Sequence, residues 1–525
     1  MEMRAEKKRN TVLNGAISLT LSVIIVKVLG FLFKMPLSRI LGDTGMGYFN
    51  SAYTVFTFFY MLCTGGVPRA VSILVSEAEA KGESKESEYI LRYAISFFLI
   101  IGITFSAILL FLSDSFAKRI GNDLAAFSLR CIAPSLSFVA ASGVVRGYLI
   151  GRERMLPVAL SEIIEGTVKF VLGLSLALCA ARRGSSVEIV SAYAVLGVSL
   201  GSFVGAAFLY ISAKILKTDE KAGQKSSPKS GAFQVFAKIL HISVPLALSS
   251  AVMGITNIID LGVITNQLLS YGATKEEAIA LFGNFTTLAV PMLNLVMALL
   301  SPATTASLPK LASMSALGHR EDFDKFIKQI LSVISLVSAP IACAFLFFPG
   351  EILSVLFEDA SALRAAPLAA ILSPSMIFLP LLTVSNTAHE ASGHQEISLL
   401  SMLAGAAAKF ASGCILIPRI GIGGAPISTG ICYGVAWLLS FSLMLRLVDM
   451  SLNDIISVFL PYPIAFIMFY GSRMIYQNCP ISTGSYLPWL ILSLIPVGLG
   501  YLIFGAVFLH KRSVPVSEIV SFAKK

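Results

Sequence analysis

Several charged side chains sit inside stretches of sequence that are otherwise apolar: Lys27, Arg130, Glu162, Glu165, Lys169, Asp260 and Lys409. An ionised group at the centre of a bilayer costs about 2.5–3.5 kcal/mol on insertion scales. One Leu or Ile recovers only about 0.3–0.6 kcal/mol of that. Such residues therefore face a partner or a hydrated cavity rather than lipid. Lys27, Gly30 and Lys34 are spaced i, i+3 and i+7, so they share one helix face and form a cationic stripe suited to an anionic head group. Glu162, Glu165 and Lys169 repeat that spacing, and Glu165 and Lys169 are also placed for an i, i+4 ion pair. Lys169 and Lys409 lie at similar depths in their helices. Arg69 and Arg146 mark the cytoplasmic ends of two spans, where each could receive a phosphate or anchor its helix. Asp260, with Asn257 three residues earlier, and the i, i+4 pair Asn386 and Glu390 supply the oxygens that a coupling Na⁺ or H⁺ would need. The competing reading makes Asp260 a local hydrogen-bond acceptor and Glu390 part of a loop.

These residues need a membrane-embedded scaffold. The chain has 525 residues, 56% of them hydrophobic and 13% charged, with a mean hydropathy of +0.81. A soluble protein carries about 25% charged residues. Taking about 20 apolar residues per crossing, fourteen spans are expected near 11–33, 47–68, 91–113, 123–148, 156–180, 187–212, 239–266, 279–304, 326–348, 367–388, 397–417, 424–447, 454–476 and 487–510. The basic N-terminus (Arg4, Lys7, Lys8, Arg9) runs into the first span with no small-residue cleavage site, which reads as an uncleaved helix. The seven Cys are scattered and form no CxxC, so neither a disulfide frame nor a metal site is implied. The net charge of +10 concentrates in loops assigned to the cytoplasm; 213–238 alone carries Lys214, Lys217, Lys221, Lys225, Lys229 and Lys238. That is the positive-inside pattern of a plasma-membrane protein, with both termini cytoplasmic, and it argues against a nucleic-acid partner.

The chain also resembles itself. Residues 134–170 begin PSLSF and end VKF; residues 374–410 begin PSMIF and end AKF. One offset separates Pro134 from Pro374 and Lys169 from Lys409. Spans 1–6 and 7–12 therefore read as two parallel copies, with spans 13 and 14 appended. The expected division is 1–212, a basic cytoplasmic loop at 213–238, 239–447, and 448–525. Transporters built this way place substrate at the seam between repeats and rock one half against the other. Prolines 134, 245, 291, 302 and 374 fall within or at the ends of spans, where they bend helices.

Together, VLGFLFKMPLSRILG, GVPRAVSILVSE and the PS…KF repeat resemble the multidrug/oligosaccharidyl-lipid/polysaccharide exporter superfamily. Within it, the likeness is to the branch holding stage V sporulation protein B and the lipid II flippases of Gram-positive bacteria. It covers nearly the whole chain. The resemblance implies an all-α integral membrane protein with a V shape: two six-helix lobes and two C-terminal helices that hold a polyprenyl tail. It also implies carriage of undecaprenyl-diphosphate-linked sugars to the outer leaflet, through a cationic cavity that holds the diphosphate. Lys27 aligns, through VLGF, with a cavity arginine of span 1. The family's next cationic site in that span falls on Phe33, beside Lys34. Spans 2 and 8 lack their expected arginines; span 2 is uncharged until Arg69.

The leading expectation is a flippase for the peptidoglycan precursor, with a lipid-linked oligosaccharide diphosphate as ligand, membrane lipids as surroundings and a monomeric state. No cofactor is expected beyond a coupling Na⁺ or H⁺. The alternatives are a flippase for another lipid-linked polysaccharide and a cation-coupled multidrug exporter, which would suit an acidic or aromatic cavity better than a lysine-lined one. A membrane enzyme would need a catalytic carboxylate motif and a large external domain, and the sequence offers neither.

Overall fold

The computed structural model describes residues 2–81, 84–218, 232–357, 360–478 and 486–511. Among them, every element is helical. The basic segment 219–231, the turn at Gly82, Cys479 and the C-terminal tail lie outside the described residues, as do the side chains of the N-terminal Arg4, Lys7, Lys8 and Arg9.

Packing divides the chain into two compact units. The first comprises Met1–Asn266 and Ala273–Gly283, the second Gln267–Gly272 and Asn284–Lys525. The helices that begin before residue 284 are α1 (Glu2–Thr64), α2 (Val67–Ala80), α3 (Ser84–Phe111), α4 (Ser113–Arg119), α5 (Ala126–Ile132), α6 (Ser135–Gly151), α7 (Leu156–Arg182), α8 (Val187–Thr218), α9 (Ala232–Tyr271) and α10 (Lys275–Asn284). Those that follow are α11 (Val290–Ala316), α12 (Arg320–Phe347), α13 (Pro349–Phe357), α14 (Ala360–Leu372), α15 (Ser375–Ala391), α16 (Gln395–Ile420), α17 (Gly424–Met444), α18 (Leu452–Phe459), α19 (Pro461–Asn478) and α20 (Tyr486–Lys511). The compact units are defined by packing and the two copies by sequence. Residues 239–266 therefore pack with the first unit while belonging to the second copy's stretch of sequence.

Among the described residues, nine helices are long and apolar enough to cross a membrane, or ten when the bent pair Ser361–Leu372 and Ser375–Ala391 counts as one span. This is a multi-pass membrane protein. The figure of nine or ten counts helices among the described residues and not crossings. Two continuous stretches, Leu21–Glu79 and Gln395–Met444, each run the length of two expected spans, and expected spans 7 and 14 fall on α9 and α20. The first stretch is broken at Gly42, whose φ of 62° lies in the left-handed region. Glycine enters that region without the steric penalty of a Cβ, so α1 is two helical arms meeting at one residue.

The sequence repeat recurs in three dimensions. Pro134 and Pro374 precede α6 and α15, helices of 17 residues each. Both helices end in a turn with a left-handed residue two positions beyond: Glu153 (φ 59°) after α6 and Gly393 (φ 82°) after α15. Among the described residues Glu153 is the only non-glycine with positive φ. The turn geometry is shared, and only the second copy has the residue that fits it without strain.

Within the first unit, α7 and α8 are joined along a glycine seam. A Cβ on Gly197 would lie 2.3 Å from the Gly173 Cα, one on Gly201 2.7 Å from the Glu165 carbonyl, and one on Gly205 3.0 Å from the Glu165 Cβ. Small residues four apart let helix backbones approach where no hydrophobic force separates helix from lipid. In the second unit, α19 and α20 pack on α12 through Ala339, Cys343, Ala465, Phe469, Val497 and Tyr501. The Tyr501 hydroxyl donates to the Leu336 carbonyl at 2.9 Å, and Arg473 pairs with Glu351.

Candidate substrate-binding site

The glycine seam fixes α7, and α7 carries the charges. On its first half, Glu165 accepts from Arg146 at 2.8 Å and from the Ser202 hydroxyl at 3.0 Å. Glu162 lies 3.7 Å from Arg146 and accepts from the Ser22 hydroxyl at 2.9 Å. Arg146 is thus held between two carboxylates, and its Nε is buried without a hydrogen-bond partner. This arrangement differs from both expectations for these residues. The Glu165–Lys169 ion pair within α7 does not form, because Glu165 turns across to α6. Nor does Arg146 present an open guanidinium to a phosphate: its charge is already matched.

Lys169, one turn beyond Glu165, points to aromatic rings. Its Nζ lies 4.6 Å from the Tyr53 ring centroid, 5.8 Å from that of Phe33, and 3.4 Å from the Tyr53 hydroxyl. The first arm of α1 runs beside α7 in a fixed register. Ser22 meets Glu162, Val26 and Leu29 meet Gly166, and Phe33 meets Gly173. This register puts Lys27 near the level of Gly166 and Lys34 near that of Gly173, with Lys169 between them in height. Phe33, the residue before Lys34, links that lysine to Lys169, its ring centroid 5.8 Å from the Lys169 Nζ. Lys27 is exposed and Lys34 half-buried. A Cβ on Gly30, midway along the stripe, would meet nothing within 4 Å. Among the described residues none of these three lysines has a carboxylate partner. The expected cationic stripe therefore borders open space and gains a third member from α7.

The other expected residues are placed as follows. Arg69 is exposed on α2. Arg130 pairs with Asp114, and both are exposed, so it is not a lone intramembrane charge. Lys409 is 4% exposed on α16; its repeat mate Lys169 is half-buried against Tyr53, so the two copies use this position differently. Asp260 is half-buried in the first unit. In the second unit, Asn386 accepts from the Ser440 hydroxyl at 2.8 Å and Glu390 is exposed. No group of three or more His, Cys, Asp or Glu suited to a metal ion occurs among the described residues. The sequence reading missed Ser22, Ser202, Tyr53 and Tyr60. The spacing of Tyr53, Thr57, Tyr60 and Thr64 on span 2 was the available signal, but a search for charge passes over it.

Comparison with known proteins adds three findings. Residues 12–315 match the model of the family described as polysaccharide biosynthesis protein. Among curated relatives, stage V sporulation protein B of Bacillus subtilis is 25% identical over 67% of this chain and 68% of its own length. The lipid II flippase MurJ of Bacillus subtilis is 25% identical over 83% of this chain and 82% of its own length. Among solved structures, a lipid II flippase MurJ in an inward closed conformation superposes with a TM-score of 0.71 at 16% identity, covering 94% of this chain and 99% of that one. The fold is therefore shared with that transporter.

Proposed function

We propose, from the premise that this chain belongs to the polysaccharide biosynthesis protein family, that it is a transporter rather than an enzyme. In this reading it moves a polyprenyl-diphosphate-linked glycan from the inner to the outer leaflet by alternating access. The peptidoglycan precursor lipid II is the foremost substrate, as it is in the name of the MurJ relative. The observation that carries the reading is the trio Lys27, Lys34 and Lys169, set on neighbouring stretches of α1 and α7 beside open space, with no carboxylate partner among the described residues. Like charges so placed are stabilised by an anion between them, and a diphosphate supplies two adjacent negative centres. A lipophilic drug cation would be repelled there, which disfavours the multidrug alternative. The protein acts as a monomer in the plasma membrane with both termini in the cytoplasm.

The test is complementation of a strain depleted of its lipid II flippase, scored by growth and by lipid II in the outer leaflet. Restored growth supports lipid II as substrate. Failure with correct membrane insertion transfers the assignment to another lipid-linked glycan. Inability of the reconstituted protein to translocate any polyprenyl-diphosphate-linked sugar would overturn the reading.

A further inference from the structure

Tyr53, Thr57, Tyr60 and Thr64 are spaced i, i+4, i+7 and i+11 on the second arm of α1, so they form one stripe. All four are half-buried, while Val55, Phe56, Phe59 and Cys63 beside them are 3%, 5%, 7% and 1% exposed. The rings are held from behind by a ladder. Phe49 stacks on Tyr53 at 5.9 Å with 9° between planes, and Phe56 lies 5.9 Å from Tyr53 and 5.8 Å from Tyr60. The two threonines donate their hydroxyls to the carbonyls of Tyr53 and Tyr60, each at 2.7 Å. Their donors are therefore spent while oxygen lone pairs remain to accept. One end of the stripe touches Lys169. The other meets α6, where a Cβ on Gly143, three residues before Arg146, would lie 3.7 Å from the Thr64 methyl carbon. The two tyrosines are about 10 Å apart along the helix, from seven residues of rise.

We propose that this stripe, with Glu165 one turn from Lys169 on the neighbouring α7, is a saccharide subsite that reads the sugar of the transported lipid; the proposal rests on the flippase reading above. The chemistry suits a pyranose. A pyranose C–H face lies on the Tyr60 ring, a Glu165 carboxylate oxygen accepts from a sugar hydroxyl, and threonine oxygens accept from further ones. A few positioned polar groups among aromatic walls are what orient a ligand in a pocket. Because Lys169 abuts Tyr53, the diphosphate and the first sugar are placed side by side, and the glycan extends along α1 toward Arg146 and Glu165.

The full-length protein in lipid nanodiscs is titrated with two probes: a polyprenyl diphosphate without sugar, and the same lipid bearing an N-acetylhexosamine disaccharide. Wild type is expected to bind the second about tenfold more tightly. Tyr60→Leu should erase that preference while keeping the affinity for the bare diphosphate. Thr57→Val, a change of little volume, should reduce the preference several-fold, and it decides the matter if Tyr60→Leu fails to fold. Lys169→Gln should weaken both probes alike. Equal binding of the two probes by wild type, or a full preference in Thr57→Val and Tyr60→Leu, overturns the subsite and leaves the flippase reading intact. Binding of neither probe by wild type overturns both.

Discussion

The Lys169 ammonium lies 4.6 Å from the Tyr53 ring centroid and shares no ion pair with Glu165 one turn away. A cation over an aromatic face gains about 0.5–2 kcal/mol, enough to aim the side chain without neutralising it. Lys169 therefore keeps its charge available to a ligand. Replacing it with Met should leave folded protein at wild-type levels in the membrane and remove at least about 90% of transport. The check is a translocation assay paired with immunoblotting. A loss of protein in step with the loss of transport would mean that Lys169 is structural.

Glu165 should behave in the opposite way. Glu165→Ala leaves the Arg146 guanidinium, whose side chain is only 18% exposed, with the more distant Glu162 alone. Stranding one member of a buried ion pair costs about 3–5 kcal/mol. We expect a clear fall in melting temperature for the purified protein in detergent. The double variant Arg146→Leu with Glu165→Leu should recover much of it, because it leaves neither charge stranded.

Lys27 is exposed and has no partner among the described residues. Removing it should cost no folding interaction. Lys27→Ala is therefore expected to abolish complementation with protein levels unchanged. Full activity in that variant would take Lys27 out of the site.

The seam between α7 and α8 admits no added atom at Gly197, where a Cβ would sit 2.3 Å from the Gly173 Cα and 2.5 Å from its nitrogen. Both are backbone atoms, so no side chain can turn aside. Gly197→Ala should destabilise by about 1–3 kcal/mol, the usual range for overpacking. It should also reduce transport, because the seam positions Glu165 and Lys169. Thermal melting and translocation read the two effects separately.

Gly393 has a φ of 82° and open space around its Cβ position. A methyl group there meets no neighbour, so only backbone strain opposes it. Gly393→Ala should cost about 1–2 kcal/mol, the left-handed penalty for an L-residue. Unchanged melting in this variant would mean that the turn relaxes freely.

The membrane class, the helical spans and the repeat were legible in the chain because each depends on local composition or on fixed sequence offsets. The likeness of α6 to α15 follows directly from Pro134 and Pro374. The cationic face of Lys27, Gly30 and Lys34 was legible too, since the helix period alone puts those residues on one side. Charge partners were not. Glu165 and Lys169 are well spaced for a helical pair, yet Arg146 and Ser202 outcompete that geometry from neighbouring helices.

By itself the sequence determined that this chain is helical, lies in a membrane, and carries charges that hydrocarbon would reject; side-chain hydrophobicity and helical periodicity act within a few residues and need no fold. Only the tertiary structure decided which of those charges cancel and which stay open. That depends on the register of α1 against α7 and on the glycine contacts of α8, where helices far apart in sequence meet within hydrogen-bonding distance. Coulomb energies at such separations change steeply over a few ångströms. The packing, and not the residue types, therefore leaves Arg146 neutralised and Lys169 available.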